Sequence, residues 1–483
     1  MGNPFPYPAI PAAAPATIPA DGADRLRALL DAAEQELIGG TAGTAELRLS
    51  RALALDPANP RALGLAGGAA HLSGRFDRAL LRFGWAARLA PGNAAARNGL
   101  SEVLRRQGRL DEALRHGRLA AALAPEWPDA LYNLGITHYE RQEVDSAILC
   151  ERRAIRLAPS APGPHFELAE GLLLSGRLEE GWQEYEWRFR LPGVPAPVPP
   201  ELLAAGRLAP RPQWDGRPQP GRLLLVADQG FGDVIQFARY IPMAERLCPD
   251  LVVAASPEMM PVLGQLIDDR RLHQEWDQLP EFDCWCPLSG LPRLFGTGLS
   301  TIPAEIPYLH ADGELAAWWK ERLDGVLPKG MRRIGLAWAG RPSHGNDHNR
   351  SMRLRRLAAL SEIDGIALVS LQLGPAQADI GRYFGRAPLA NPGPEIADFH
   401  DTMAILQGLD GLVSVDTAVA HLAGAMGVPV WLLLPYAPDW RWLRGRPDSP
   451  WYPTFRLFRQ PAPGDWQGVI GQVAAAIAAL AST

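Results

Sequence analysis

Three stretches decide the first half of the chain: Gly74-Arg75-Phe76-Asp77-Arg78-Ala79, Gly108-Arg109-Leu110-Asp111-Glu112-Ala113 and Gly176-Arg177-Leu178-Glu179-Glu180-Gly181. The first two lie 34 residues apart, and the third lies two such steps beyond the second. Gln142 fills the glycine slot between them. Prolines Pro57, Pro91, Pro125 and Pro159 keep the same step, and so do the small residues Ala79, Ala113, Ala147 and Gly181. A glycine supplies the left-handed turn that closes one helix, and an acidic residue just after it suits the start of the next. The small residue lets two helices approach closely, and the proline stops the second one. A fixed step of this length describes a helical hairpin stacked on copies of itself.

This unit resembles the tetratricopeptide repeat. Three full units are expected, with a fourth over 160–190 and a degenerate helical start over 23–55. A stack of this kind does no chemistry; it forms a groove that holds an extended segment or a partner helix. The expectation is therefore a protein or peptide partner or acceptor in the repeat groove. The plainer use is a scaffold packed against the rest of the chain.

The 483 residues are enough for about three folding units at ~150 residues each. With 47% hydrophobic and 21% charged residues the chain is globular. A net charge of −5 argues against a nucleic-acid binder, which needs a basic face. Lysine occurs only at Lys320 and Lys329, so an anion site would be built from arginine, backbone N–H groups and helix ends. Cys150, Cys248, Cys284 and Cys286 are too few for a disulfide framework. Cys284-Trp285-Cys286 lacks a second ligand pair, so no metal site is expected there. No stretch suits a membrane span, and the first residues lack the pattern of a signal peptide, so a cytoplasmic location is expected.

The pattern changes after a proline-rich stretch. Short apolar runs such as 222–228, 251–255, 333–338, 367–371, 411–415, 428–434 and 455–458 alternate with helical segments, which describes parallel sheets. The expected organisation is a disordered Pro/Ala-rich tail over 1–22, an α-helical solenoid over 23–190 and a stiff linker over 191–220. Two Rossmann-like units follow, over 221–312 and 313–483, with a ligand cleft at the carboxyl ends of their strands.

Candidate site residues gather at strand ends. Asp416 and Thr417 follow the 411–415 run and are N-cap residue types, with His421 one turn on. An open helix end flanked by Thr417 and His421 suits a diphosphate; the plainer reading is a capping Asp416 and an interior His421. Gly230 and Gly232 follow the first strand and allow close ligand approach, and Asp233 is either a helix cap or a general base. Arg350, in a polar loop, is either a phosphate partner or a solvated surface group. Trp338, Tyr436 and Trp440 either stack on a base or line the cleft, or else form a structural aromatic cluster. No Asp-x-Asp occurs, so a diphosphate would be met without a bound divalent metal.

These residues resemble the lipopolysaccharide heptosyltransferases, of the two-lobed GT-B fold. Gly232-Asp233 match that family's Gly-Asp, whose Asp activates the acceptor hydroxyl. Asp416, Thr417 and His421 match its donor-phosphate stretch, with Ala418 in place of Gly, and Arg350 stands for its donor-lobe Lys. The order of repeats before such a domain is similar to protein O-GlcNAc transferases. The whole chain, including 434–442 and 448–453, resembles bacterial tetratricopeptide proteins with a heptosyltransferase-like domain. The resemblance implies a metal-independent inverting transferase that uses a nucleotide-sugar donor. The alternative is a non-catalytic interaction scaffold carrying a degenerate GT-B domain.

Overall fold

The computed structural model describes residues 20–199, 211–274 and 276–481, and the chain divides into two compact units, Met1–Gly171 and Leu172–Thr483. Residues 1–19 of the expected tail lie outside the described residues, and the first helix begins at Ala20, inside that tail's expected span.

In the first unit, hairpins form from Pro60–Leu72 with Phe76–Leu89, Ala94–Arg106 with Leu110–Leu123, and Pro128–Glu140 with Val144–Leu157. An earlier hairpin, Ala20–Ile38 with Ala42–Leu55, keeps the period, so the degenerate start is a complete unit. The backbone shows why. The N–H groups of Thr41, Arg75, Arg109 and Glu143 reach back to the carbonyls of Glu36, Ala70, Leu104 and His138 at 2.8–2.9 Å. Each bond closes a helix through a left-handed residue: Gly40, Gly74, Gly108 and Gln142, with φ of 77°, 70°, 73° and 62°. Ala45, Ala79, Ala113 and Ala147 are buried at the expected close approach. Asn59 and Asn93 cap the helices that follow them, accepting from the N–H of Ala62 and Ala96 at 3.0 Å.

The second unit opens with the end of the repeat pattern. Helix Leu178–Tyr185 continues into a 3-10 turn, Glu186–Arg190. The two compact units divide at 171/172, ahead of the expected end of the solenoid at 190. Trp182 is the physical reason: it is buried against Trp440 at 5.2 Å between ring centroids and against Trp451 and Phe237, and its indole N–H donates to the Thr297 carbonyl at 2.9 Å. The expected linker is also tied down. Residues 200–210 lie outside the described ones, but Val198 is buried with Leu224 and Val226, and Trp214 is buried with its indole N–H on the Arg217 carbonyl. An apolar side chain beside an exposed sheet face gains more by packing than a linker gains by staying free.

Two wholly parallel sheets follow. The first contains β1 (Leu223–Val226), β2 (Leu251–Ala254), β3 (Leu272–His273) and β4 (Cys284–Pro287), in the order β3-β2-β1-β4. The second contains β5 (Arg332–Ala337), β6 (Ile366–Ser370), β7 (Leu389–Ala390), β8 (Gly411–Val415), β9 (Val430–Leu434) and β10 (Phe455–Arg459), in the order β10-β9-β8-β5-β6-β7. Strands β1, β2, β6, β8 and β9 are buried at every position, as sheets covered on both faces require. In each sheet the winding reverses between two neighbouring strands: β1 and β4 in the first, β5 and β8 in the second. Ligands of open α/β sheets bind beyond the carboxyl ends of such pairs.

Candidate functional site

The loops after these four strands carry most of the candidate residues. After β8, Asp416 and Thr417 lead into helix Ala418–Ala425, whose N-cap is Thr417. Thr417 makes no capping bond. Its hydroxyl instead pairs with Ser414 Oγ at 3.1 Å, and the first-turn N–H groups of Ala418 and Val419 carry no hydrogen bond among the described residues. The helix thus opens with free donors, as the sequence led us to expect, one residue later than Asp416.

Asp416 is buried and fully engaged. It accepts from the Trp442 indole N–H at 2.9 Å and lies 3.6 Å from His421 Nε2. Burial opposes its ionisation, but His421, the Trp442 N–H and the charge of Arg350 outweigh that and hold its carboxyl below the ordinary value. His421 Nδ1 pairs with the Tyr452 hydroxyl at 3.0 Å.

After β1, Gly230 is the N-cap of helix Phe231–Ala238, and its N–H donates to Asp233 Oδ2 at 2.9 Å. Gly232 lies against His421: a Cβ there would stand 2.8 Å from the ring. The candidate residues of the two sheets therefore meet at one place, with glycine required by the close approach.

Asp233 is also in an ion pair with Arg441, a residue whose importance the sequence did not signal. Arg441 is buried, donates to Gln236 Oε1 at 2.5 Å and pairs with Asp439 at 2.8 Å. Burial disfavours its charge, yet Asp233 and Asp439 raise its pKa well above normal. The Asp233 carboxylate is thus bound on both oxygens.

Arg350 lies in the loop after β5. That loop is fixed by Gln372, whose Oε1 accepts from the N–H groups of Trp338 and Ala339 at 2.9 Å each. Arg350 stands 3.5 Å from Asp347 and leaves its Nε without a hydrogen bond. His344 lies in the same field; burial and Arg350 depress its pKa. Arg350 is therefore largely buried at the site rather than solvated.

Of the two readings given for the aromatics, Trp338 and Trp440 take the structural one. Trp338 is fully buried in the core of the second sheet, among Leu336, Met352 and Val415. Trp440 is fully buried in the cluster around Trp182, with Tyr185 6.0 Å away. Neither ring face is open to a base; both indoles do more by filling apolar volume. Tyr436 is half-buried, and its N–H donates to Gln460. Cys284 and Cys286 sit in β4 with their side chains on one face.

Sequence reading also passed over Asp228 and Ser289 at the ends of β1 and β4. Asp228 accepts from the Ser289 N–H at 3.0 Å and lies 4.0 Å from Arg188; burial raises its pKa against that pairing. No local motif announces this contact, because its members are 61 and 40 residues from Asp228.

On the repeat unit, the first helices of successive hairpins share a polar ladder. Arg105 bonds Glu102 within its own helix and Glu140 of the next repeat, and Asn133 donates to Asn98 at 3.2 Å.

The tetratricopeptide repeat family matches residues 73–128 and 118–162. Residues 73–162 of the first unit are thus tetratricopeptide repeats. Protein FlbA of Caulobacter vibrioides is 28% identical over 351 residues, covering 66% of this chain and 55% of that protein. The chain thus spans about half the length of this curated relative. The matched stretch is longer than the 171 residues of the first unit, so it extends into the second. Among solved structures, the Pseudomonas aeruginosa pilF protein is 21% identical, with 35% of this chain and 78% of that chain covered and a TM-score of 0.33. The Thermus thermophilus tetratricopeptide protein TTC0263 is 23% identical, with 34% and 90% covered and a TM-score of 0.31. No described helix is long and apolar enough to cross a membrane.

Proposed function

We propose that the second unit is a GT-B-like, metal-independent inverting glycosyltransferase, and that the repeats hold its protein or peptide partner or acceptor. The observation that carries this reading is the meeting of two strand-end turns. The uncapped start of helix Ala418–Ala425, with Arg350 and His421, lies beside the Gly230–Asp233 turn of the other sheet. A nucleotide-sugar diphosphate docks on the free N–H groups and Arg350. Asp233 takes the proton of an acceptor hydroxyl, whose oxygen attacks the anomeric carbon as the bond to the diphosphate breaks on the opposite face. The charge leaves with the nucleotide. In the present conformation Arg441 occupies Asp233, so the reaction requires Arg441 to turn toward the incoming diphosphate.

Thermal-shift measurements with UDP-, GDP- and ADP-sugars test this. A donor raises the melting temperature if it binds the folded state. Asp233→Asn then abolishes transfer and leaves that shift in place; retained turnover refutes the base assignment. The second reading is a non-catalytic scaffold with a degenerate domain. The ion pair that occupies Asp233 favours it, and the absence of a shift with all three donors would establish it over the first.

A further inference from the structure

A cavity of about 520 Å³ lies in the first unit, between helices Ala42–Leu55 and Phe76–Leu89. Leu49, Leu53 and Ala66 contribute apolar lining. Arg78 and Arg82 also line it, four residues apart on one helix and so on one face. No ion pair or hydrogen bond is found for either arginine among the described residues. The one carboxylate lining the cavity, Glu46, is engaged by Arg75. Arg82 is half-buried, and burial and the like charge of Arg78 lower its pKa. Like charges at this spacing weaken an isolated helix. Two arginines are thus held beside an apolar hollow without a counter-charge.

We propose that this cavity is a binding site for a small amphipathic anion, with its carboxylate or phosphate on Arg78 and Arg82 and its apolar body on Leu49, Leu53 and Ala66. Its volume falls within the range of small-molecule sites, roughly 300–1,000 Å³. A guanidinium pair suits a two-oxygen head group, and a planar fork holds it in a fixed direction. The site is separate from the residues assigned to sugar transfer, and the proposal does not depend on that assignment.

The full chain is titrated with anilinonaphthalene sulfonate, read by fluorescence, and the dye is competed with monomeric dodecanoate, dodecyl phosphate or dodecyltrimethylammonium. Both anions displace the dye and the cation does not. Arg78→Gln with Arg82→Gln weakens dodecanoate binding about tenfold or more. The empty double variant is no less stable than the parent, because a repulsion has been removed. Ala54→Phe, which fills the cavity from an exposed position and keeps both arginines, also abolishes binding. Equal displacement by the cation overturns the proposal, as does unchanged dodecanoate affinity in the double variant. Binding to anionic vesicles without binding to monomeric dodecanoate also overturns it, since that would be attraction to a charged surface.

Discussion

Each unit buries a carboxylate, and they do it in opposite ways. In the second unit, Asp416 meets His421, the Trp442 indole and the field of Arg350, and its pKa falls. In the first, Glu151 is 1% exposed, neither oxygen has a hydrogen-bond partner, and burial with the nearby charge of Glu167 raises its pKa well above normal. Glu151 occupies the slot that holds Phe83, Gly117 and Tyr185 on the 34-residue step, none of them charged. An interlocked set of partners marks a place built around a charge. An orphaned acid marks a place where the repeat tolerates one.

Removing Asp416 gives the largest effect. Asp416→Ala leaves His421 and the Trp442 N–H without their shared partner and Arg350 without a nearby opposite charge, and breaking such a buried arrangement costs about 3–5 kcal/mol. Denaturant unfolding followed by hydrogen exchange should place the loss in the second unit. An effect below about 1 kcal/mol would mean that the site is loosely built and that the contrast with Glu151 is false.

Glu151 gives a smaller effect of opposite sign. Glu151→Met replaces an unsatisfied buried acid with apolar volume and should stabilise the first unit by about 1–2 kcal/mol. The pH dependences of the two units should also oppose each other. Above its ordinary value of 4.5, Glu151 ionises in the unfolded chain while the folded unit keeps the proton. It therefore adds no ionisation penalty below that pH, and the folded unit loses stability as pH rises toward the folded value, at up to about 1.4 kcal/mol per pH unit. Glu167, pushed up to about 7 mainly by burial, adds to the same trend. Asp416 behaves in the reverse way: its contribution is present above 3.8 and is lost as pH falls through its depressed folded value. Hydrogen exchange across pH 4–8 reads the slope of the first unit and across pH 2–4 that of the second, and Glu151→Gln should flatten only the first.

Much of the repeat unit could be read from the chain because each of its signals is local. A glycine, a small residue and a proline return at one spacing, and the turn they specify closes within six residues. The first hairpin was legible only as a degenerate helical start, since Gly39-Gly40-Thr41 lacks the Gly-Arg pair of the turns at 74 and 108 although its backbone is the same. In the second unit the main strands and the 416–421 helix start were legible as apolar runs and cap residues. The two-residue strands β3 and β7 were not, because they are too short to show a pattern. What surrounds the site was hidden for another reason. Arg441 reaches Asp233 across 208 residues, and Trp182 of the last repeat helix buries Trp440, so the meaning of each tryptophan was set by a distant partner.

The smallest effect tests whether the period itself is what holds the first unit. Among the described residues of that unit Gln142 is the only non-glycine at a left-handed turn, and it stays at φ 62° because the flanking helices fix the register. Holding an L-residue there costs roughly 1–2 kcal/mol, partly offset by the backbone entropy that a glycine loses on folding. Gln142 also donates from its side chain to the Tyr139 carbonyl at 3.3 Å, a contact that glycine forfeits. Gln142→Gly should therefore stabilise the first unit by only about 0.5–1 kcal/mol. Because each repeat contacts its neighbours, the gain should spread as slower exchange in helices Pro128–Glu140 and Val144–Leu157 and the turns beside them. A loss of stability would mean that the glutamine contact, rather than the backbone turn, closes this hairpin, and that the fourth repeat departs from the rule its neighbours obey.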